Sequence, residues 1–359
     1  MEETEIKDIL VINPGSTSTK IAVFSNLNKE VILENEISHD AQSLRRYSTL
    51  SDQEDFRKKV ILDVLSEADY DVHQLSAVVG RGGMIRDFQG GGYRINEELI
   101  KRISSPYIPQ HASNLGALLA HSIAEPLGID SFIYDATMGF ELMDIAKISG
   151  ISEIERFGSI HLLNTRAQAI KYAKTHGKDY REINYLNCHM GGGITINAMK
   201  NGKVIDIASY DEGPMAPERS GGIPLLQFKE LCFDGKHSEE EIDSLIAGNG
   251  GIYSYLGTKD CREVEKMIAD GDTHAEVIYE AMAYQIAKSI AALSCAFQGD
   301  VDVIILTGGI AHSDNLVGRI RKYCEHIAPI EVMPGESEMS ALADGALRML
   351  AGEEDIKEL

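Results

Sequence analysis

The stretch that decides the fold spans residues 9–24 and reads ILVINPGSTSTKIAVF. Two apolar runs enclose a turn made of small, hydroxyl-bearing and cationic residues. This pattern predicts two antiparallel strands joined by a turn that holds phosphate, because backbone N–H groups reach an anion closely where side chains are small. The hydroxyl groups of Ser16 and Ser18 face one way on an extended chain, and Lys20 adds a positive charge.

A second interpretation of this turn stays open, because Ser/Thr-rich surface turns without a ligand are common. The turn is not a Walker A loop, since the required spacing of glycines and lysine is absent and an apolar run typical of a strand follows it. Any phosphate bound here would therefore be held by a β-hairpin rather than by the start of a helix.

Length and composition predict a two-domain protein without a membrane segment. A chain of 359 residues, 43% of them apolar, is too long for one ordinary core, so a cleft between two domains is the expected ligand site. No apolar run approaches the ~20 residues of a membrane span, and the start Met1-Glu2-Glu3 lacks the pattern of a signal peptide. We therefore expect a cytoplasmic protein with no membrane partner.

Charge and cysteine content argue against other classes of protein. The 34 basic and 56 acidic residues give a net charge of −22, which disfavours nucleic-acid partners and would also repel a nucleotide. A phosphate site must therefore concentrate cations locally, which gives weight to Lys20, Arg81 and Arg219. The five cysteines are odd in number, scattered and never in a C-x-x-C pair, so neither a disulfide framework nor a zinc site is expected.

An apolar strand runs into a small-residue turn three times along the chain. The second instance leads into Gly191-Gly192-Gly193 and the third into Thr307-Gly308-Gly309-Ile310. Asn201-Gly202 is a hairpin signal that returns a further strand at 204–208. Helical periodicity predicts four helices, at 114–128, 162–176, 275–297 and 338–351. The alternation of strands and helices predicts an α/β fold with two halves of similar plan.

Two arginines stand beside glycines in a way that suits anion binding. Arg81 precedes Gly82-Gly83 directly after an apolar run, and Arg219 lies in Pro217-Glu218-Arg219-Ser220-Gly221. A guanidinium group can grip two oxygens of a carboxylate or phosphate at once. The alternative is a surface arginine paired with Asp87 or Glu218, and the glycine runs taken alone are tight turns without a ligand.

Four further polar residues lie at the ends of predicted elements. Asp135 follows the apolar run 131–134, where it could hold Mg²⁺ or, as the alternative, cap the start of a helix. His161 and Asn164 open a predicted helix, and His189 ends a predicted strand. Because a single histidine is more often structural than catalytic, these positions need support from elsewhere.

Six motifs follow one another in a specific order: Asn13–Lys20, Arg81–Gly83, His161–Asn164, His189–Gly193, Pro217–Gly221 and Leu306–Gly309. In this order, from residue 9 to about residue 350, the chain resembles the butyrate kinases of the acetokinase family, part of the actin-like ATPase superfamily. The resemblance implies two duplicated ribonuclease-H-like domains, 1–148 and 149–339, with the active site in the cleft between them. It also implies that a C-terminal helix, 340–359, packs back on the first domain.

The resemblance implies reversible phosphoryl transfer between MgATP and a short-chain carboxylate, giving ADP and an acyl phosphate without a covalent phosphoenzyme. The catalytic residues it implies are Arg81, Asp135, His161 and Arg219. Its implied ligands of ATP and of the transferring phosphoryl group are Asn13, Ser16, Ser18, Lys20, His189, Gly191, Gly192, Gly193, Gly308, Gly309 and Ile310. The implied Mg²⁺ ligands are Asp135 and Glu338, with Glu336 as the alternative to Glu338. The family also suggests a homodimer or a higher homo-oligomer.

The sequence leaves the substrate partly open. Gly82-Gly83 follows Arg81 at once, which we interpret as room for an acyl chain longer than acetate, with Ile160 and Pro214 as candidate pocket walls. One methylene is worth only ~1–3 kcal/mol, so acids of similar length cannot be separated. A nucleotide-switch protein and a sugar kinase with Asp135 as general base remain alternatives, although two arginines favour an anionic second substrate.

Overall fold

The computed structural model describes residues 8–26, 29–47, 49–86, 88–105, 107–109, 111–139 and 141–359, without the side chain of Ala41. The chain divides into two compact units, one of Met1–Phe140 with Ser337–Leu359 and the other of Glu141–Glu336. The boundaries of these units differ from the predicted domain limits 1–148 and 149–339. Those limits remain a prediction. In the part of the chain that is described, no helix has the length and apolar character needed to cross a membrane.

The first unit begins with the predicted hairpin. Strands β1 (Asp8–Pro14) and β2 (Ser18–Phe24) pair antiparallel with Asn13 opposite Lys20, as the apolar runs around the turn predict. The strands that follow are β3 (Val31–Ser38), β4 (Leu75–Arg81), β5 (Gly92–Arg94) and β6 (Asp130–Tyr134). The helices among them are α1 (Ala41–Leu44), α2 (Glu54–Glu67), α3 (Glu97–Ile103) and α4 (Leu115–Ala124).

The second unit is built around its own sheet and core. Its strands are β7 (Tyr185–Met190), β8 (Ile194–Lys200), β9 (Lys203–Ala208), β10 (Val303–Gly308) and β11 (Ile330–Pro334). Its helices are α5 (Asp144–Lys147), α6 (Leu162–Thr175), α7 (Leu225–Cys232), α8 (Glu239–Ile246), α9 (Gly251–Leu256), α10 (Cys261–Ala269), α11 (Thr273–Ser294) and α12 (Asp314–Cys324). The long helix α11 packs its apolar face on this sheet, because Met282, Ile286 and Ile290 are fully buried in the core.

The last elements of the chain belong to the first unit, but the implied helix 340–359 is wrong beyond Leu350, where the helix ends before a short strand. Helix α13 (Glu338–Leu350) packs on β1 and β4, and β12 (Ile356–Lys357) pairs parallel with β5 at the sheet edge. Tyr134 donates a hydrogen bond to Glu354 at 2.7 Å and accepts one from Arg348 at 2.7 Å, which holds the end of the chain against β6. The helix therefore brings Glu338 to the ends of strands that are far away in sequence.

The two sheets share one strand order. Five strands of the seven-stranded sheet run β3-β2-β1-β4-β6, and the five-stranded sheet runs β9-β8-β7-β10-β11. In each sheet, the first three strands pair antiparallel with one another, and the third, fourth and fifth strands pair parallel. This repetition confirms the predicted α/β fold with two halves of similar plan. The predicted helices at 162–176 and 338–351 also match α6 and α13 within a residue.

Candidate active site

The turn between β1 and β2 is closed by a hydrogen bond from the Gly15 N–H group to the Ser18 carbonyl oxygen at 2.8 Å. Ser16 at its tip is exposed, and Ser18 is half-buried. Lys20 is half-exposed and lies 3.8 Å from Glu36, a long ion pair in solvent that costs little to open. Both serines and the lysine of this hairpin are therefore at least partly accessible to solvent.

Glu338 joins two residues that the sequence analysis treated separately. Its Oε2 atom accepts a hydrogen bond from Asn13 Nδ2 at 2.7 Å, and its Oε1 atom accepts one from Arg81 Nη1 at 2.5 Å. Glu338 and Arg81 side chains are only 19% and 17% exposed, so solvent screens this ion pair weakly. Only Nη1 of the Arg81 guanidinium is engaged among the described residues, which leaves its other donors for a ligand.

A buried arginine without any signal in the sequence lies directly beneath the hairpin turn. Arg57 of α2 is fully buried and donates hydrogen bonds to the carbonyl oxygens of Gly15, Ser16 and Ser18 at 2.9–3.0 Å. Arg57 stands in the charged run Glu54-Asp55-Phe56-Arg57-Lys58, which gives no sign that one of its cations is buried. The contact also spans about 40 residues, beyond what local periodicity can indicate.

Asp135 is a buried carboxylate at the end of β6 and adopts a left-handed backbone conformation with φ 43°. That conformation is uncommon for a residue other than glycine, and such strain concentrates at functional sites. Its Oδ1 atom accepts a hydrogen bond from the Gly91 N–H group at 2.7 Å. The next helix in the described chain, α5, begins only at Asp144, so the alternative in which Asp135 caps a helix is wrong.

The structure corrects our interpretation of Gly82 and Gly83. A Cβ atom on Gly82 would lie 2.6 Å from the Ala136 Cα atom, and one on Gly83 would lie 2.4 Å from Asn114 Oδ1. The two glycines therefore allow close packing of this loop against its neighbours and do not open space for a longer acyl chain. The candidate pocket walls Ile160 and Pro214 are both buried in the second unit.

His161 and His189 are stacked in the second unit, with ring centroids 3.8 Å apart and planes 14° from parallel. His161 is the residue before α6, and its Nδ1 atom lies 3.0 Å from the Thr195 hydroxyl oxygen. His189 is the second-last residue of β7 and is buried, with Nε2 3.4 Å from Glu336 Oε1. The structure thus brings together two histidines that the sequence places 28 residues apart.

A buried amide holds His189 from behind. Asn164 Nδ2 lies 2.8 Å from His189 Nδ1 and donates to the Thr307 hydroxyl oxygen at 3.2 Å. This contact orients the His189 ring, with Nδ1 toward Asn164 and Nε2 toward Glu336. Asn164 and Thr307 lie in two of the six sequence motifs, but those motifs do not predict that the two side chains support His189.

Arg219 lies against the glycine turn that follows β7. A Cβ atom added to Gly193 would come within 2.5 Å of Arg219 Nη1, so the absence of a side chain at residue 193 admits the guanidinium. The guanidinium also stacks over Tyr210 at 5.1 Å. Glu218 pairs with Lys259 at 3.0 Å, and within the described residues Arg219 makes no ion pair with a carboxylate. Asp87, the other partner considered, lies outside the described residues.

The third glycine turn shapes a cavity in the second unit. Gly308 ends β10 with φ 89°, and a Cβ atom there would lie 2.4 Å from the Met190 carbonyl oxygen, so this position requires glycine. A cavity of about 900 Å³ lies beside it, within the usual range of ligand pockets. Its lining includes Gly191, Gly192, Lys259, Glu265, Gly309, Ile310 and Glu336. Two of the three predicted phosphate turns therefore border one cavity.

The strand order of both units, with glycine turns and charged side chains at the strand ends, is that of an α/β protein of the actin-like ATPase plan. In agreement, the acetate kinase of Porphyromonas gingivalis has the same fold, with a TM-score of 0.81 at 20% identity over 96% of this chain and 100% of that one.

The model of the acetokinase family matches residues 151–338. The chain is 44% identical over 351 residues to butyrate kinase 2 of Clostridium acetobutylicum, covering 97% of this chain and 98% of that protein. A probable butyrate kinase of Clostridium botulinum matches with the same identity and coverage. The chain therefore belongs to the acetokinase family, as the order of the six motifs predicts.

Proposed function

We propose that this protein is a butyrate kinase that transfers the γ-phosphoryl group of ATP reversibly to a short-chain fatty acid. The relatives named butyrate kinase cover nearly the whole chain, which supports this substrate class over acetate. Within the structure, the main support comes from Arg219. Its guanidinium touches a glycine turn beside the cavity and makes no ion pair with a carboxylate of the described chain. Such a cation is suited to an anionic ligand.

The second unit has the features of the nucleotide site. The glycine turns at 191–193 and 308–310 border the cavity, so their N–H groups can hold phosphate oxygens where no side chain intervenes. His161, oriented by Thr195 and the His189 ring, can donate to an oxygen of the transferring phosphoryl group. We assign ATP to this cavity, with His189 as a positioning residue.

The first unit supplies the remaining groups. Asn13, Ser16, Ser18 and Lys20 offer hydrogen-bond donors around the hairpin, and Arg81 has guanidinium donors left over beside Glu338. A carboxylic acid is already ionised at neutral pH, so its attack on phosphorus needs no general base. What the reaction needs is alignment and neutralisation of the charge that spreads over the phosphoryl oxygens. Cationic and hydrogen-bonding side chains of this kind meet that need.

The carboxylates of Asp135 and Glu338 fit a magnesium site of the sparse type, in which one or two carboxylates act with phosphate oxygens and water. When bound, Mg²⁺ would neutralise phosphate charge and orient the phosphoryl group. We favour Glu338 over Glu336 because its carboxylate is held beside Asn13 and Arg81.

A kinase for propionate, isobutyrate or acetate is the second candidate, because the corrected packing of Gly82 and Gly83 removes one argument for a longer chain. A non-kinase nucleotide switch is less well supported, since it would not use Arg81 and Arg219 for a second anion. We also propose a cytoplasmic homodimer or higher homo-oligomer, which sedimentation of the purified protein tests.

The test is formation of an acyl hydroxamate from ATP, hydroxylamine and acids of two to six carbons. We expect hydroxamate with all short acids and the highest kcat/KM with a four- or five-carbon acid. A preference for acetate would favour the second candidate, and no hydroxamate with any acid would refute the carboxylate kinase.

A further inference from the structure

Arg57 is a charged group in an unusual setting. Its side chain is fully buried, and its guanidinium donates to three carbonyl oxygens of one turn: Gly15 at 2.9 Å, Ser16 at 3.0 Å and Ser18 at 2.9 Å. A buried charge is costly unless it is paired and hydrogen-bonded. Here the partners are oxygens of the turn that we assign to the phosphoryl group.

The rest of the guanidinium is satisfied by neutral groups. Nη1 donates to the Thr19 hydroxyl oxygen at 3.0 Å, and Nε and Nη2 donate to Gln53 Oε1 at 3.1 and 2.9 Å. Among the residues that the structure describes, Arg57 has no carboxylate partner. Burial lowers the pKa of Arg57 to about 10, which still leaves the guanidinium protonated at neutral pH. The chain thus places an uncompensated positive charge under the hairpin.

The hydrogen bonds also fix which way the turn faces. Because the carbonyl oxygens of residues 15, 16 and 18 accept from Arg57, they are turned toward the protein interior, while Ser16 is exposed on the outer side. An inward-facing carbonyl does not repel an anion on the outer side of the turn. In a protein with a net charge of −22, a cation at short range also offsets part of the general repulsion of phosphate.

We infer that Arg57 is a positioning residue for phosphoryl transfer, which orients the hairpin turn and supplies a buried positive charge beneath the phosphoryl group. The inference rests on the proposed function, because it assigns the same hairpin to the phosphoryl group. It adds a residue that does not touch the ligand and acts through the turn.

A purely structural role of Arg57 predicts a different result from the positioning role that we infer. If Arg57 only fastens the hairpin to α2, then any change that keeps its hydrogen bonds should leave turnover unchanged. Gln53→Glu is such a change, because glutamate is isosteric with glutamine and its carboxylate can accept the same two hydrogen bonds. The substitution pairs the arginine with an acid, so it neutralises the charge while the protein stays folded.

The experiment compares Gln53→Glu, Arg57→Lys and the control Lys58→Met in the full-length protein. Lys58 is the next residue of α2 and also donates to a backbone carbonyl oxygen, that of Ser122 at 2.6 Å, away from the hairpin. We expect Gln53→Glu to keep the wild-type Tm and to lower kcat/KM for ATP about tenfold. Arg57→Lys keeps the positive charge but loses the planar guanidinium group and its set of N–H donors. It should lower kcat/KM for ATP by a similar factor. Lys58→Met should change only Tm.

A second readout does not depend on activity. Hydrogen–deuterium exchange of the amides at 16–20 is measured with and without inorganic phosphate, and we expect phosphate to protect them in the wild type more than in Gln53→Glu. If folded Gln53→Glu keeps both the protection and kcat/KM within twofold of the wild type, the inference is wrong. Absence of hydroxamate with the wild type would instead refute the proposed function, and the exchange comparison would still decide the role of Arg57.

Discussion

Glu338 at the start of α13 accepts a hydrogen bond from Arg81 at the end of β4, although the two residues are 257 positions apart in the chain. The N–O distance is 2.5 Å, and both side chains are mostly buried. The contact fixes the Arg81 guanidinium through one nitrogen and leaves the other donors available. Glu338 therefore orients Arg81, which we predict binds the substrate.

Removing the charge of Glu338 should reduce turnover strongly. In Glu338→Gln the Arg81 guanidinium loses its ion pair and one carboxylate of the proposed magnesium site is lost. We expect kcat to fall about 100-fold or more, because stabilisation of the phosphoryl charge depends on these groups. Steady-state hydroxamate formation at saturating ATP and butyrate measures this.

Glu336→Gln is the matched comparison for this variant. Glu336 is half-exposed and lies 3.4 Å from His189 in the second unit, so its loss should raise KM for ATP by less than about fivefold and spare kcat. A larger loss of kcat in Glu336→Gln than in Glu338→Gln would reverse our assignment of the two glutamates.

Arg219→Ala should lose most of its kcat while the fold persists. The side chain is partly exposed and makes no ion pair within the described chain, so its removal leaves no buried carboxylate unpaired. We expect a fall of about 100-fold or more in kcat with little change in Tm. Arg181→Ala, which removes an exposed arginine paired with Asp179, is the control. Near-normal turnover of Arg219→Ala would remove Arg219 from the catalytic residues.

Two adjacent glycines should respond differently to alanine. A Cβ atom on Gly308 meets the Met190 carbonyl oxygen at 2.4 Å and forces an alanine into φ 89°, whereas a Cβ atom on Gly309 has nothing within 4 Å. We expect Gly308→Ala to lower the free energy of unfolding by about 2 kcal/mol or more and Gly309→Ala by less than about 0.5 kcal/mol. Urea denaturation measures both values, and equal effects would contradict the close approach at Gly308.

His39 should make the stability of the first unit depend on pH. Burial, aided by the nearby Arg57 charge, lowers the pKa of His39 from 6.5 to about 4. Between these values the unfolded chain binds more protons than the folded one, so the free energy of unfolding decreases as pH falls from 6.5 to 4. We expect this histidine to contribute about 1–3 kcal/mol over that interval.

His39→Gln, which can still hydrogen-bond the Thr19 hydroxyl, should lose that part of the pH dependence. The exposed His326→Gln should keep it. Tm values of the three proteins between pH 4.5 and 7.5 make the comparison, and parallel Tm curves for wild type and His39→Gln would contradict a neutral buried His39.

Local patterns predicted much of the fold. The hairpin around residues 13–20, the Asn201-Gly202 turn and helix α6 all depend on residues close in sequence, and the structure has each of them. Both central residues of the Asn201-Gly202 turn have positive φ, as the dipeptide predicts.

The supporting residues of the site could not be predicted in the same way. Arg57 stands among acidic and basic residues and resembles a solvent-exposed charge, yet its side chain is buried against the hairpin turn about 40 residues away in sequence. Glu336 and Glu338 are two positions apart and chemically identical, yet they belong to different compact units. The sequence also cannot show what Gly82-Gly83 does, because whether a glycine opens space or allows close contact depends on the neighbours that the fold brings to it.

The most direct test of the central claim is ³¹P NMR of the purified protein with MgATP and butyrate. We predict that ADP and an acyl phosphate form in equal amounts during the first turnovers, and that adding ADP and butyryl phosphate regenerates ATP. Release of ADP with inorganic phosphate alone, or no consumption of ATP, would contradict the assignment of this protein as a carboxylate kinase.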